Sequence, residues 1–301
     1  MKKGLLLVFL TAVISGVSIF LNVFGVKGIN PYVFTGMKNV IVGVFLFSVI
    51  LLLKNFKELK KLKMNHWNRL VLIGLVGGSI PFLLFFKGLQ MSNAAQGSFI
   101  HKTMVLWVVV LSIFFLKEKL DKKIVVGALL LLAGNFLLLK IVSFDFSTGT
   151  LLVFAATVFW SFEIIISKKL LKELSGNVVA FGRMFFGAGF ILLFLLFTDQ
   201  TGTILSLSNA QWTWILVTSV FLIGYVMTFY NGLKLVNAST ATAVLAVGSV
   251  ITSILDLVFL EKILTINQVI GLILLIVGVG FFILNAETFR KIYSSFSTAK
   301  P

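Results

Sequence analysis

The apolar residues of this chain come in long runs bounded by charged or turn-forming residues. They cover 5–24, 32–53, 70–89, 94–116, 124–139, 150–167, 178–197, 212–233, 238–260 and 268–284. A helix crossing a bilayer needs about 20 consecutive apolar residues, so each run reads as one spanning helix, ten in all. The first run, behind Lys2 and Lys3, imitates a signal peptide. It lacks an Ala-x-Ala cleavage site and has a partner later in the chain, so it is expected to remain as a helix.

Sliding the chain over itself shows a repeat. Residues 6–43 lie over 151–188 without a gap, at a constant spacing of 145, placing Lys38 on Arg183 and Ser15-Gly16 on Trp160-Ser161. Further on the spacing is 144: GLQMSNA (88–94) lies over GLKLVNA (232–238), and Gly127 and Gly134 over Gly271 and Gly278. Each half holds five runs, an odd number, so the second half enters the membrane inverted. The expected architecture is an all-α membrane protein of ten helices in two inverted five-helix repeats, 4–140 and 146–286, followed by a short cytoplasmic tail, 287–301. Inverted repeats are a recurring plan of secondary transporters, whose halves rock about a site at their interface.

Composition agrees with a membrane protein: of 301 residues 59% are hydrophobic and 12% charged, against about 25% charged in soluble domains. The net charge of +16 is unevenly placed. With a cytoplasmic amino terminus, the inside segments collect Lys2, Lys3, Lys54, Lys57, Lys60, Lys61, Lys63, Arg69, Lys117, Lys119, Lys122, Lys123, Lys168, Lys169, Lys172, Lys234, Arg290, Lys291 and Lys300. The outside segments hold Lys27, Lys87, Lys140 and Lys262. Such asymmetry orients a protein in the cytoplasmic membrane, here with both termini inside, and accounts for the basic charge through lipid contact without nucleic acid.

Several chemistries fall away. There is no cysteine for a disulfide, thiolate metal site or nucleophile, and the two histidines, His66 and His101, are far apart. No metal site or cofactor is expected. No G-x-x-x-x-G-K-[ST] segment cradles a nucleotide, so transport must draw on a gradient or an exchanged solute. No arrangement of catalytic groups supports an intramembrane enzyme.

Ionisable groups inside apolar runs are costly and read as functional. They are Lys38, His101, Lys102, Glu163, Arg183 and Asp256. Lys102 follows Asn93 by nine residues, about 13 Å along a helix and near the bilayer midplane. If their helices face each other, Glu163 can reach it. The pair then either fixes helix register as a buried salt bridge or takes part in binding, with Lys102 holding a solute carboxylate and Glu163 or His101 carrying a proton. Lys38 and Arg183 either bind solute or snorkel to headgroups. Asp256 reads as interfacial. Polar candidates at membrane depth are Gln96, Ser98, Thr103, Trp160, Ser161, Tyr230 and Asn231. Gly77 and Gly78 beside Pro81 predict a kink in the third helix, a candidate hinge. The paired glycines of the fifth and tenth helices allow close approach to a neighbouring helix or a second subunit in a homodimer.

The segments SNAAQGS…FFLKEKL…VVGALLLLAGN (92–135) and VNASTAT…VFLEKILT…VIGLILLIVGVG (236–280) resemble the repeats of the drug/metabolite transporter superfamily, EamA type. The resemblance implies solute transport with both termini cytoplasmic. Two departures stand out: Glu261 comes one position earlier than the Glu118 pattern leads one to expect, and His101-Lys102 stand where apolar residues are usual. The reading is a secondary transporter of a small polar solute, zwitterionic or anionic, in a lipid bilayer, with protons or a counter-transported solute as coupling partner. The competing reading is a static membrane scaffold or sensor. A transporter should carry a polar pocket touching both repeats near Lys102.

Overall fold

The computed structural model describes residues 2–25, 28–52, 56–92, 94–119, 121–140, 146–261 and 263–283. The expected tail, Asn93, Lys27, Lys54, Lys262, Arg290, Lys291 and Lys300 lie outside them. Every element is a helix: α1 (Lys2–Gly25), α2 (Pro31–Leu52), α3 (Phe56–Lys60), α4 (Met64–Gly78), α5 (Ile80–Met91), α6 (Ala94–Lys102), α7 (Met104–Leu116), α8 (Lys122–Leu138), α9 (Thr148–Leu170), α10 (Gly176–Phe197), α11 (Gly202–Leu205), α12 (Asn209–Leu235), α13 (Ala238–Leu245), α14 (Val247–Phe259) and α15 (Ile266–Ile283). Helices are what a bilayer permits, because they satisfy their backbone hydrogen bonds internally.

Among the described residues nine helical segments are long and apolar enough to cross a membrane, rather than ten. The fifth run forms α8, whose 17 residues begin at the Asp121 cap. It is a helix in the right place, slightly shorter than the other spans. Three runs are each two helices: the third breaks at Ser79, the fourth at Thr103 and the ninth at Ala246. The last two breaks lie at repeat-matched places. Lys102, the final residue of α6, is 144 positions before Ala246.

Packing follows the inversion. The first helix of each repeat lies against the third and fourth helices of the other: α1 on α12, α13 and α14, and α9 on α4, α5, α6 and α7. The pairs α2 with α10 and α8 with α15 join like helices. Glycines record the pseudo-two-fold. A methyl added at Gly127 would come within 2.9 Å of the Gly278 carbonyl oxygen, and one at Gly134 within 2.7 Å of that of Gly271. The two contacts exchange when the repeats are exchanged, so these glycine faces serve the internal α8–α15 contact. Likewise His66 reaches Glu173 at one end of the molecule, and Gln211, 145 positions later, reaches the carbonyl of Gly28, 145 before Glu173, at the other.

The basic segments share one face. Arg69 and His66 meet Glu173, Glu58 accepts the Ser175 amide, and Lys234 donates to the Leu174 carbonyl. Lys168 donates to the Leu233 and Val236 carbonyls, and the start of α1 at Gly4 packs on Leu235.

Candidate functional site

The centre of the molecule is organised by Pro81. With no N–H, it cannot donate to the carbonyl of Gly77 four residues earlier. That freed oxygen accepts instead from Trp160 Nε1 on α9 at 3.1 Å and from Arg183 on α10 at 3.2 Å. The next carbonyl, of Gly78, accepts from Asn39 Nδ2 on α2 at 2.9 Å. Ser79, at the break itself, donates its hydroxyl back to Leu75. Three other helices thus supply the donors that the broken helix lacks. The small residues let them in: a methyl on Gly77 would come within 2.2 Å of Glu163 Cγ, and one on Gly78 within 2.3 Å of the Arg183 carbonyl.

Glu163 is buried beneath this junction. Its Oε1 accepts from Ser167 Oγ at 2.5 Å and from the Tyr230 hydroxyl at 2.6 Å. The Arg183 guanidinium stands beside the Tyr230 hydroxyl, within electrostatic reach of Glu163 and Tyr225. Arg183 also lies over the Phe82 ring at 6.0 Å. One carboxylate, one guanidinium and the Tyr230 phenol share the site.

Beside it is an aromatic wall. His101 contacts Trp160 at 4.9 Å and Phe85 at 5.2 Å between ring centroids, and Phe82 meets Trp160 at 5.2 Å. The His101 Nδ1 is buried without a hydrogen-bond partner among the described residues, as are Arg183 Nε and Asn39 Oδ1. Lys102, at the break between α6 and α7, is half-buried and makes no hydrogen bond or ion pair among the described residues.

The structure therefore does not join Lys102 to Glu163. The carboxylate is taken by Ser167 and Tyr230, because α9 turns Glu163 toward α12 and α4. Trp160, Glu163, Arg183, Tyr230 and Gly77 come together, with His101 at their edge. Lys38 is elsewhere: its Nζ donates to Asn22 Oδ1 at 3.2 Å and lies 4.7 Å from the Phe34 ring centre. Asn231 bonds Asn177 and the Met227 carbonyl, closing α12 on the start of α10. Asn39, Tyr225, Phe82 and Phe85 were not singled out from the sequence. Asn39 and the donors on α9 and α10 had a legible signal, since a proline inside a helix leaves carbonyls that something must satisfy.

The two best-defined cavities among the described residues do not border Lys102. One of about 360 Å³ opens on the basic face between Lys57, Lys61, His66 and Glu173. There the hydrogen bond from His66, helped by Arg69, holds the exposed Glu173 carboxyl below its ordinary range. The other, between Ser112, Glu118 and Ser239, is too narrow for water.

Inverted repeats, two helices broken at repeat-matched positions and a buried charged centre are the features of membrane transport proteins of the inverted-repeat class. The sequence profile of the EamA-like transporter family matches residues 2–140 and again 147–284, and the chain belongs to that family. It is 28% identical over 303 residues to an uncharacterized transporter of Methanothermobacter thermautotrophicus, covering 94% of this chain and 87% of that one. It is 23% identical over 250 residues to the riboflavin transporter ImpX of Fusobacterium nucleatum, covering 78% and 82% of the two chains. A crystal structure at 19% identity superposes with a TM-score of 0.80, covering 96% of this chain and 99% of the other, and shares the fold.

Proposed function

We propose that this transporter moves a small zwitterionic or anionic metabolite, such as an amino acid, by alternating access and without ATP hydrolysis. The observation that carries the charge preference is Lys102, which has no counter-ion among the described residues while Glu163 is occupied by its own partners. Lys38 likewise meets no carboxylate among the described residues, only the Asn22 amide and the Phe34 ring. An unpaired charge in a low-dielectric site is expensive, so a solute carboxylate that completes the pairing is selected over a neutral analogue. The repeats, 4–140 and 146–286, supply the two sides of the site, and the break at Gly77, Gly78 and Pro81 supplies its hinge. Following the charge asymmetry, the basic face is cytoplasmic and both termini lie there.

The test is uptake into proteoliposomes with a panel of amino acids, carboxylates and sugars. Riboflavin belongs in the panel, given the relative bearing that name and the ring wall of Phe85, His101 and Trp160. Lys102→Met keeps length and apolar volume while deleting the charge. The expected result is at least about a tenfold rise in KM for a carboxylate substrate, the scale of one lost charge-assisted contact. An unchanged KM removes Lys102 from the site.

A further inference from the structure

We propose that Glu118 and Lys168 are the gate of the basic face, two positioning residues that clamp the turn between α12 and α13. The proposal rests on the alternating-access reading above. Glu118, just past the end of α7, accepts from the Ala238 amide at 2.7 Å, the Ser239 amide at 3.4 Å and the Ser239 hydroxyl at 2.5 Å. It thereby caps the start of α13, where Asn237 makes no side-chain cap. Lys168, near the end of α9, donates to the carbonyls of Leu233 at 2.6 Å, Val236 at 2.7 Å and Lys234 at 3.3 Å. Anion at a helix start and cation at a helix end each match the local backbone dipole. The two side chains also lie within electrostatic reach of each other.

Both clamp residues belong to the helices gathered around α9, and the turn they hold belongs to those gathered around α1. The clamp therefore spans the two bodies that must separate for this face to open. Packing agrees: α13 lies against α7, whereas the pseudo-symmetric pair, α6 with α14, forms no comparable interface among the described residues. On this reading the arrangement is the one closed across the turn between α12 and α13.

By sequence register the second repeat does not carry the same two clamp residues on the opposite face. Lys117 and Glu261 are 144 apart and both take the left-handed backbone, with φ of 57° and 51°, so they hold the same place in their turns. The order Lys117-Glu118 in the first repeat is Glu261-Lys262 in the second. By sequence register the counterpart of Glu118 is a lysine, a residue type that cannot accept from amides. The position matching Lys168 is Val23. The displaced glutamate seen in the sequence is thus the removal of one gate, which biases the resting transporter toward closure on the basic face.

Because the chain has no cysteine, spin-label pairs can be introduced cleanly. Lys119→Cys with Asn237→Cys, both exposed, reports the basic face, and Met91→Cys with Ile263→Cys reports the other. Pulsed electron-spin distances are read in lipid nanodiscs. Glu118→Gln is expected to raise the long-distance population of the first pair about fivefold, as loss of one helix cap would, with a matching shortening of the second pair. Glu118→Asp restores most of the closed population. A second variant guards against misfolding: exchanging the order at 261 and 262, Glu261→Lys with Lys262→Glu, is expected to shorten the second pair. If the first pair shows two populations whose ratio Glu118→Gln leaves unchanged, the bodies do rock and the clamp is overturned. A single short distance in every protein overturns the clamp and the rocking together.

Discussion

At the scale of single residues, Gly77 shows how tightly the centre is set. Its missing side chain makes room for Glu163, whose Cγ would meet an added methyl at 2.2 Å. Gly77→Ala is expected to destabilise the protein by about 1–3 kcal/mol, the usual cost of overpacking a core. Gly189, also within a helix, has open space around it, so Gly189→Ala should be neutral or slightly stabilising. Melting temperatures of both variants in the same detergent check the contrast, and equal losses would contradict it. Glu173 gives a pH prediction of definite sign. Its carboxyl is held below the ordinary value, first by the His66 hydrogen bond and then by Arg69. A depressed folded value means a contribution that is complete above the unfolded value of about 4.3 and lost as pH falls through the folded one. Melting curves of the native chain and Glu173→Gln should therefore differ by a constant amount near neutrality and converge in acid. Convergence on raising the pH instead would reverse the assignment.

At the scale of elements, the broken third helix is a consequence of one absent N–H. Pro81→Ala returns a donor for the Gly77 carbonyl, which then competes with Trp160 and Arg183 for the same oxygen. The expected outcome is a straighter helix, a freer Arg183 and reduced transport. Trp160 emission, isolated by subtracting a Trp160→Phe spectrum from the five-tryptophan total, should shift as its indole loses the carbonyl. An unchanged Trp160 signal and unchanged rate would mean that the junction does not depend on the proline. This junction was half legible in the sequence. Two glycines and a proline at membrane depth announce a kink, because the donor is missing from the covalent structure itself. Which donors replace it is a property of packing, so nothing in the sequence marks Asn39, and opposite charge alone does not bring Lys102 to Glu163. The breaks at Thr103 and Ala246 carry no proline or glycine pair and emerge only from the folded arrangement.

At the scale of the whole molecule, the architecture was written in the sequence because a bilayer leaves few choices: runs of about 20 apolar residues span it, and an odd number per repeat inverts the second half. The offset of 144 even names the glycines that meet across α8 and α15. The gathering of residues from both repeats around Glu163 was not legible, since it depends on α1 and α9 each crossing to the other repeat. The same architecture yields a topological prediction. The segments bearing Lys61, Lys119, Lys172 and Lys234 meet on one face through contacts to Glu173, Leu174 and the 233–239 turn. Positive charge near membrane ends is retained in the cytoplasm, so this entire face should lie there. Single cysteines at Lys61, Lys119 or Lys172 should resist a membrane-impermeant maleimide in intact cells and react after permeabilisation. A cysteine at Asn209, exposed on the opposite face beside the Gln211–Gly28 contact, should react in intact cells. Because one two-fold axis relates the faces, the four positions cannot change sides independently. Uniform reversal would turn the molecule over and place the Glu118 clamp on the outer side, whereas a mixed pattern would break the inverted repeat.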